Sequence, residues 1–334
     1  RFSGMKIILA PMEGLVDPIM RDIVTRFGGL DYCVTEFIRV SVRVLPAHVF
    51  RKTCPELHHG GKTASGVPVH VQLLGSDPEM MALNAAKAAR LGAPTIDLNF
   101  GCPSKGVNAN RGGAILLETP NEIHDIVSAV RKAVPDDIPV TAKMRLGYND
   151  KSLYLDNAAA IADAGASHVT VHARTKVEGY RPPAHWEFIS RIREYVKIPV
   201  IANGEVWNYD DYKRCREVSG CEDVMIGRGQ ISQPDLARVI KAERDGAPVA
   251  PIHWGMILEL LLDHMAQSEH RMQPRYVHGR VKQWLHHLKR HFPEAGELFH
   301  RVKVVNDIDA LRTMLQAEYA KYEGAREEGG SNAF

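Results

Sequence analysis

Eight short β-branched runs recur along this chain with helical stretches between them, and that alternation admits few folds. The runs are MKIILAPM (5–12), DYCVTEF (31–37), VPVHVQLLG (67–75), TIDLNFG (95–101), PVTAKMRLG (139–147), HVTVHAR (168–174), PVIANGEV (199–206) and DVMIGRG (223–229). Several are nearly continuous in apolar residues, the pattern of parallel strands covered on both faces. DPEMMALNAAKAARLG (77–92) reads as a helix with Asp77 as N-cap, Pro78 in its first turn and Gly92 at its end. SLYLDNAAAIADAGA (152–166) reads as another. Eight strand–helix units predict an α/β fold, a (β/α)8 TIM barrel over residues 5–245, close to the typical size of about 250 residues. From 252 no strand candidates appear, and HWGMILELLLDHMAQSEH and GRVKQWLHHLKRHF read as helices. A C-terminal all-helical domain is therefore expected over 252–322, joined through DGAPVAP (245–251). The tail GAREEGGSNAF is expected to fray, and Arg1–Gly4 ahead of Met5 reads as an extension outside the fold.

A chain of 334 residues accommodates one large barrel and an appendage. With 45% apolar and 25% charged residues it has a globular composition. No stretch approaches the roughly 20 apolar residues that span a bilayer, and no signal-peptide pattern opens the chain. The five cysteines (33, 54, 102, 215, 221) are scattered and lack CxxC spacing. They argue against a disulfide framework or a zinc site and for a reducing, cytoplasmic setting. His287 and His291 stand at helical i, i+4 spacing without a third ligand, so a solvated or RNA-facing helix is expected there and no metal. No protein partner is evident. The net charge of +2 hides a concentration: residues 264–304 hold eight Lys/Arg against three Asp/Glu, and seven of the sixteen His. There Arg275, Arg280 and Lys282 are interleaved with Tyr276 and Trp284. That mixture is either a solvated face or a surface for phosphates and stacked bases, and the second reading is favoured.

In a TIM barrel the active site forms at the C-terminal ends of the strands. The unusual polar residues of this chain fall there: Gln72, Asn99, Cys102, Lys143, Arg145, His172, Arg174, Asn203-Gly204-Glu205 and Gly227-Arg228-Gly229. Glycines after the last two strands let backbone N–H groups approach an anion, and Arg228 offers a fork of donors suited to phosphate. Gln72 can donate to and accept from a heteroaromatic edge, and Lys143 can place positive charge near a ring that becomes anionic on reduction. Flavin mononucleotide (FMN) meets these demands. A sugar phosphate with Lys143 as Schiff-base lysine is the competing reading. Cys102 by itself reads first as a packed thiol; a nucleophile with His172 as base and a proton donor are the chemical alternatives. A thiol with a pKa of about 8.5 retains its proton near neutrality yet releases it readily. The other four cysteines read as structural.

The stretches LAPMEGLVD (9–17), VQLLG (71–75), DLNFGCPSK (97–105), KMRLG (143–147), VHARTK (171–176), PVIANGEV (199–206) and VMIGRG (224–229) resemble the bacterial tRNA-dihydrouridine synthases. CVTEFIRV (33–40) and QWLHHLKRHFPEAGELFHRVKVVND (283–307) look most like the C class, which reduces uridine 16 of the D-loop. The resemblance implies that Pro11, Met12, Glu13, Gln72, Lys143, His172, Asn203, Gly204, Glu205, Gly227 and Arg228 contact FMN. It places Asn99, Arg145 and Arg174 by the target uracil and Lys105 near the RNA, and sets Cys102 on the family's proton-donating cysteine. The loop KGVNANRGGA departs from the pattern by carrying Arg111 where the class is richer in glycine. The implied reaction is reduction of the uracil C5–C6 bond in tRNA, with hydride from flavin N5 to C6 and a proton from Cys102 to C5. NADPH serves as transient reductant, for no GxGxxG unit follows the first strand. Two other readings stand beside it: an FMN-dependent oxidoreductase of a free pyrimidine, and a non-catalytic RNA-binding barrel. The basic helical appendage speaks against the first, and the intact Cys102, Lys143 and glycine loops against the second.

Overall fold

The computed structural model describes residues 5–330. The extension read at Arg1–Gly4 and the last four residues lie outside the described part.

All eight expected strands form: β1 (Ile7–Leu9), β2 (Tyr32–Val34), β4 (Val69–Leu74), β5 (Ile96–Phe100), β6 (Val140–Arg145), β7 (Val169–His172), β8 (Val200–Asn203) and β9 (Val224–Ile226). A two-residue strand that the sequence did not announce, β3 (Ile38–Arg39), lies between β2 and β4 in the chain. Every pairing among these strands is parallel, and the ring closes because β1 pairs with both β2 and β9 while β2 also pairs with β4. The result is a closed eight-stranded TIM barrel, with β2 and β3 as two pieces of one broken strand, both laid on β4. The break has a local cause. Thr35 continues the ladder through its side chain, taking the Gln72 amide on Oγ1 at 3.0 Å, and Glu36 accepts the Gly14 amide at 2.7 Å.

Because side chains alternate across a strand, each barrel strand contributes one set to the interior and one to the surrounding helices. Val69, Val71, Leu73, Ile96, Leu98, Val140, Ala142 and Met144 form the outward set and are fully buried. That explains the near-continuous apolar runs. The helix after β4, Pro78–Arg90, starts as expected: the Asp77 carboxylate accepts the Glu79 and Met80 amides. The stretch 152–166 holds the helix Tyr154–Asp163.

The chain divides into two compact units, Arg1–Pro18 with Gly29–Gly227, and Ile19–Gly28 with Arg228–Phe334. These boundaries differ from the 5–245 and 252–322 read in the sequence. The segment Ile19–Gly28 groups with the later helices because Arg26 pairs with both Asp22 and Asp263 at 2.6 Å, and Gln267 reaches Asp22. The second unit is helical: Trp254–Arg271, Pro274–Leu288, Pro293–Val302 and Ile308–Gly330 follow the short helices Arg228–Ser232 and Leu236–Arg244. Its centre is Trp284, fully buried, whose indole N–H donates to the Ile231 carbonyl at 3.1 Å. Within the stretch expected to fray, the last helix continues to Gly330 at the backbone level, and residues 331–334 lie outside the described part. Among the described residues no helix is long and apolar enough to cross a membrane.

Candidate active site

At the upper end of the barrel, strand register sets polar side chains in rows. Gln72 stands opposite Asp97 and Asp97 opposite Thr141; one layer up, Asn99 stands opposite Lys143. Asp97 is buried among them and accepts from Gln72 Nε2 at 2.8 Å and Thr141 Oγ1 at 2.7 Å. Burial pushes its carboxyl up, and these two donors and Lys143 work in the other direction. Gln72 in turn accepts on Oε1 from Asn99 Nδ2 at 2.9 Å. Asn99 Oδ1 takes two backbone amides, Gly101 and Cys102, each at 2.9 Å.

The turn that carries Cys102 is held from several sides. Arg145 Nε donates to the Gly101 carbonyl at 2.9 Å, and Asn108 Nδ2 donates to the carbonyls of Cys102 (2.9 Å) and Ser104 (2.7 Å). Asn108 Oδ1 accepts the Ile115 amide, so this residue ties both sides of its loop together. Gly113 permits the closeness: at φ +67° it has a backbone that favours glycine, and a Cβ there would lie 2.7 Å from the Cys102 carbonyl oxygen. Cys102 is half-buried, whereas Cys33, Cys54, Cys215 and Cys221 are all buried. Burial raises its thiol above the ordinary range, Glu13 adds to that, and the Ser104 amide, Arg145 and Arg39 oppose it. Arg111, the departure from the class pattern, takes a left-handed φ of 58° and pairs with Glu122 at 2.6 Å.

Lys143 is half-buried, and burial first, then repulsion from Arg145, brings its ammonium down to about 8, against the pull of Asp97 and Cys102. Arg145 is almost fully buried and spends Nη1 on the carbonyls of Thr175 and Gly179, with its guanidinium 5.3 Å from the Tyr180 ring centre. His172 accepts on Nε2 from Arg174 Nη1 at 3.0 Å, because an arginine can only donate. That places the ring proton on Nδ1. Arg174, itself buried, also donates to the Arg181 carbonyl and forms an ion pair with Glu205. Glu205 holds a left-handed φ of 60° and accepts from Trp207 Nε1 at 3.0 Å, so strain in this loop is matched by two side-chain anchors. Beneath, Glu178 takes the Thr175 amide and the His185 ring; although burial raises it, these bonds and Lys151 bring it down to about 2.

The remaining expected residues are placed as follows. Pro11 and Met12 are half-buried after β1, and Glu13 is exposed. Asn203 is buried, donating to the Met225 carbonyl. Gly204 has φ +124°, and a Cβ on it would sit 3.3 Å from His172 Cδ2 and from Ala184 Cβ. Gly227 follows β9, and Arg228 opens the short helix Arg228–Ser232. Lys105 is exposed at the start of the helix Lys105–Ala109. Gln72 presents no surface, its amide turned inward to Asp97 and Asn99. In the second unit Arg275 is exposed and lies 4.7 Å from the Tyr276 ring centre. Lys282 reaches His278 and Asn306, and Arg280 is half-buried. Trp284 is a correction: a fully buried indole offers no face to a base, and half-exposed Tyr276 is the aromatic at that surface. Asp97, Thr141, Asn108 and Tyr180 escaped sequence reasoning. A charge inside an apolar strand, as in TIDLNFG, was the available signal for the first.

These residues fit a flat ring with an anionic tail. Lys143 supplies tunable positive charge, and His172 and Asn99 supply hydrogen-bonding edges. Around Gly204 the missing Cβ leaves room where any other side chain would crowd His172.

The model of the dihydrouridine synthase family matches residues 8–317. Curated relatives include tRNA-dihydrouridine(16) synthases of Pseudomonas putida, 56% identical over 94% of this chain and 97% of its own, and of Neisseria meningitidis serogroup B, 50% identical over 95% of each. Among solved structures, a 2-naphthoyl-CoA reductase complexed with 2-naphthoyl-CoA superposes with TM-score 0.54 at 11% identity, covering 73% of this chain and 50% of that one. An old yellow enzyme homologue from Zymomonas mobilis gives TM-score 0.51 at 12% identity over 75% and 91%. These two likenesses concern the barrel fold alone. From its length of match and its identity to these relatives, the chain belongs to the dihydrouridine synthase family.

Proposed function

We propose that this chain reduces a uridine in the D-loop of tRNA, at position 16, to 5,6-dihydrouridine. The observation that carries the reading is Cys102. It is the one cysteine that is not buried, held at the barrel mouth by Asn99, Arg145 and Asn108 near Lys143, whose ammonium burial brings down to about 8. The barrel, 5–245, takes FMN, with Pro11, Met12, Glu13, Lys143, His172, Asn203 and Glu205 around it and Gln72 beneath. Gly204 and Gly227 offer backbone to its phosphate, and Arg228 joins them on the sequence pattern alone. When bound and reduced by NADPH, FMN supplies the hydride to uracil C6. The Cys102 thiol then donates its proton to C5; burial keeps it protonated at neutral pH until the adjacent carbon demands it. Asn99 and the Arg145 and Arg174 loops orient the uracil, and Lys143 holds positive charge beside the ring. The helical segment 252–322 binds tRNA through Arg275, Arg280 and Lys282, with Lys105 as a further contact from the barrel. The target base leaves its stack to reach the site, and the enzyme works in the cytoplasm.

Mass spectrometry of tRNA from cells lacking this protein tests the reading. Loss of dihydrouridine at position 16 is expected, with return on complementation. Unchanged dihydrouridine at every D-loop position would remove it.

A further inference from the structure

Three side chains connect the barrel interior to the turn of Cys102. Asp97 accepts from Gln72 Nε2; Gln72 Oε1 accepts from Asn99 Nδ2; Asn99 Oδ1 accepts the amides of Gly101 and Cys102. A carboxamide has a donor end and an acceptor end, so each bond decides the orientation of the next residue. If Gln72 turned over, its amide nitrogen would face that of Asn99. Asn99 would then have to turn as well and present donors to two backbone donors. The only member with no such ambiguity is Asp97, which offers acceptors in both directions and is pinned on its other oxygen by Thr141. We propose that Asp97 is a positioning residue: through Gln72 and Asn99 it sets the backbone of the Cys102 turn and hence where the thiol points. What the relay requires of residue 97 is an acceptor facing Gln72, not a particular charge. A buried network of this kind is strong only while every member is satisfied.

The catalytic consequence rests on the proton-donor reading of Cys102, but the positioning can be measured without turnover. Cys102 is the one cysteine with exposed surface, so iodoacetamide labelling of the purified full chain, followed by peptide mass spectrometry, reports its turn. Asp97→Ala should change the Cys102 labelling rate by about fivefold or more, the scale of one lost buried hydrogen bond. Asp97→Asn should stay within about twofold, because the Thr141 hydroxyl can rotate to accept the new amide and leave the oxygen to Gln72. Thr141→Val alone should also stay within about twofold, since Asp97 keeps its acceptor for Gln72. The double variant Asp97→Asn/Thr141→Val should lose what each single keeps, because nothing then orients the introduced carboxamide, a non-additivity expected of one network. The conservative pair carries the test if the alanine variant does not fold, as judged by its thermal melt. Labelling unchanged in Asp97→Ala, Asp97→Asn as perturbed as Asp97→Ala, or an additive double variant would each overturn the proposal. A labelling shift with uridine reduction intact would uphold the positioning and overturn the donor role of Cys102 instead.

Discussion

Across the barrel interior the two halves are built differently. β1, β2, β8 and β9, with Ala10 just past β1, contribute Ile8, Ala10, Tyr32, Val34, Ile201 and Met225, which pack as one buried apolar cluster. β4 to β7 contribute Gln72, Asp97, Asn99, Thr141, Lys143, Arg145 and His172, a polar half in which orientation is dictated by hydrogen bonds and ion pairs. Where the halves meet, Tyr32 stacks on His70 at 4.0 Å and its hydroxyl lies 3.4 Å from His168 Nε2. The apolar half obtains stability from area removed from water and tolerates imprecision in direction. The polar half costs desolvation throughout and returns direction, which is what proton and ring placement need.

That contrast can be broken most sharply at Cys102. Cys102→Ala should lower single-turnover reduction of uridine by about 100-fold or more, the lower range for loss of a general acid. Flavin absorbance and tRNA affinity should stay as in the parent; retained turnover on native tRNA would refute the donor role. On the apolar side Ile8→Ala should cost about 2–5 kcal/mol in urea unfolding, the range for a fully buried isoleucine. Its labelling rate at Cys102 should not move, and a parallel change there would mean that the halves are not separable.

At the seam, burial holds His70 down to about 3 and His168 down to about 4, with Lys6 adding repulsion in both. Unfolded, each titrates near 6.5. Between those values the unfolded chain binds more protons, so stability is full above about pH 6.5 and falls as pH drops toward 4 and then 3. Each histidine should contribute about 3–5 kcal/mol of that acid loss. His70→Phe, which keeps a ring against Tyr32, should flatten the acid limb of a plot of melting temperature against pH; an unaltered limb would exclude the assignment. The smallest effect is expected in the helical unit. Arg275→Ala should weaken tRNA binding and reduce the slope of log affinity against log salt by about one, roughly one phosphate contact. A slope equal to the parent's would exclude that contact.

Much of this was legible in the residues. Eight parallel strands follow from β-branched runs at barrel spacing, and their ends named Cys102, Asn99, Lys143, Arg145, His172 and Arg174 as a group. β3 escaped because two residues carry no periodicity. Trp284 was misread although the signal was there: with Val277, Val281, Leu285 and Leu288 it lies on one face of its helix, the buried one. The grouping of Ile19–Gly28 with the later helices depends on Arg26 meeting Asp263, a pairing across more than 200 positions of sequence.

Local pattern determined that this chain makes a parallel barrel, because strand and helix periodicities are properties of neighbouring residues. It also determined that the candidate proton donor stands at a strand end, since motif spacing places Cys102 just past β5. Register across strands decided the rest. Asp97 faces Gln72 and Thr141 only when three strands, 25 and 44 residues apart in sequence from Asp97, are laid side by side. Direction in a hydrogen-bonded row comes from which atoms meet, and no single segment contains that.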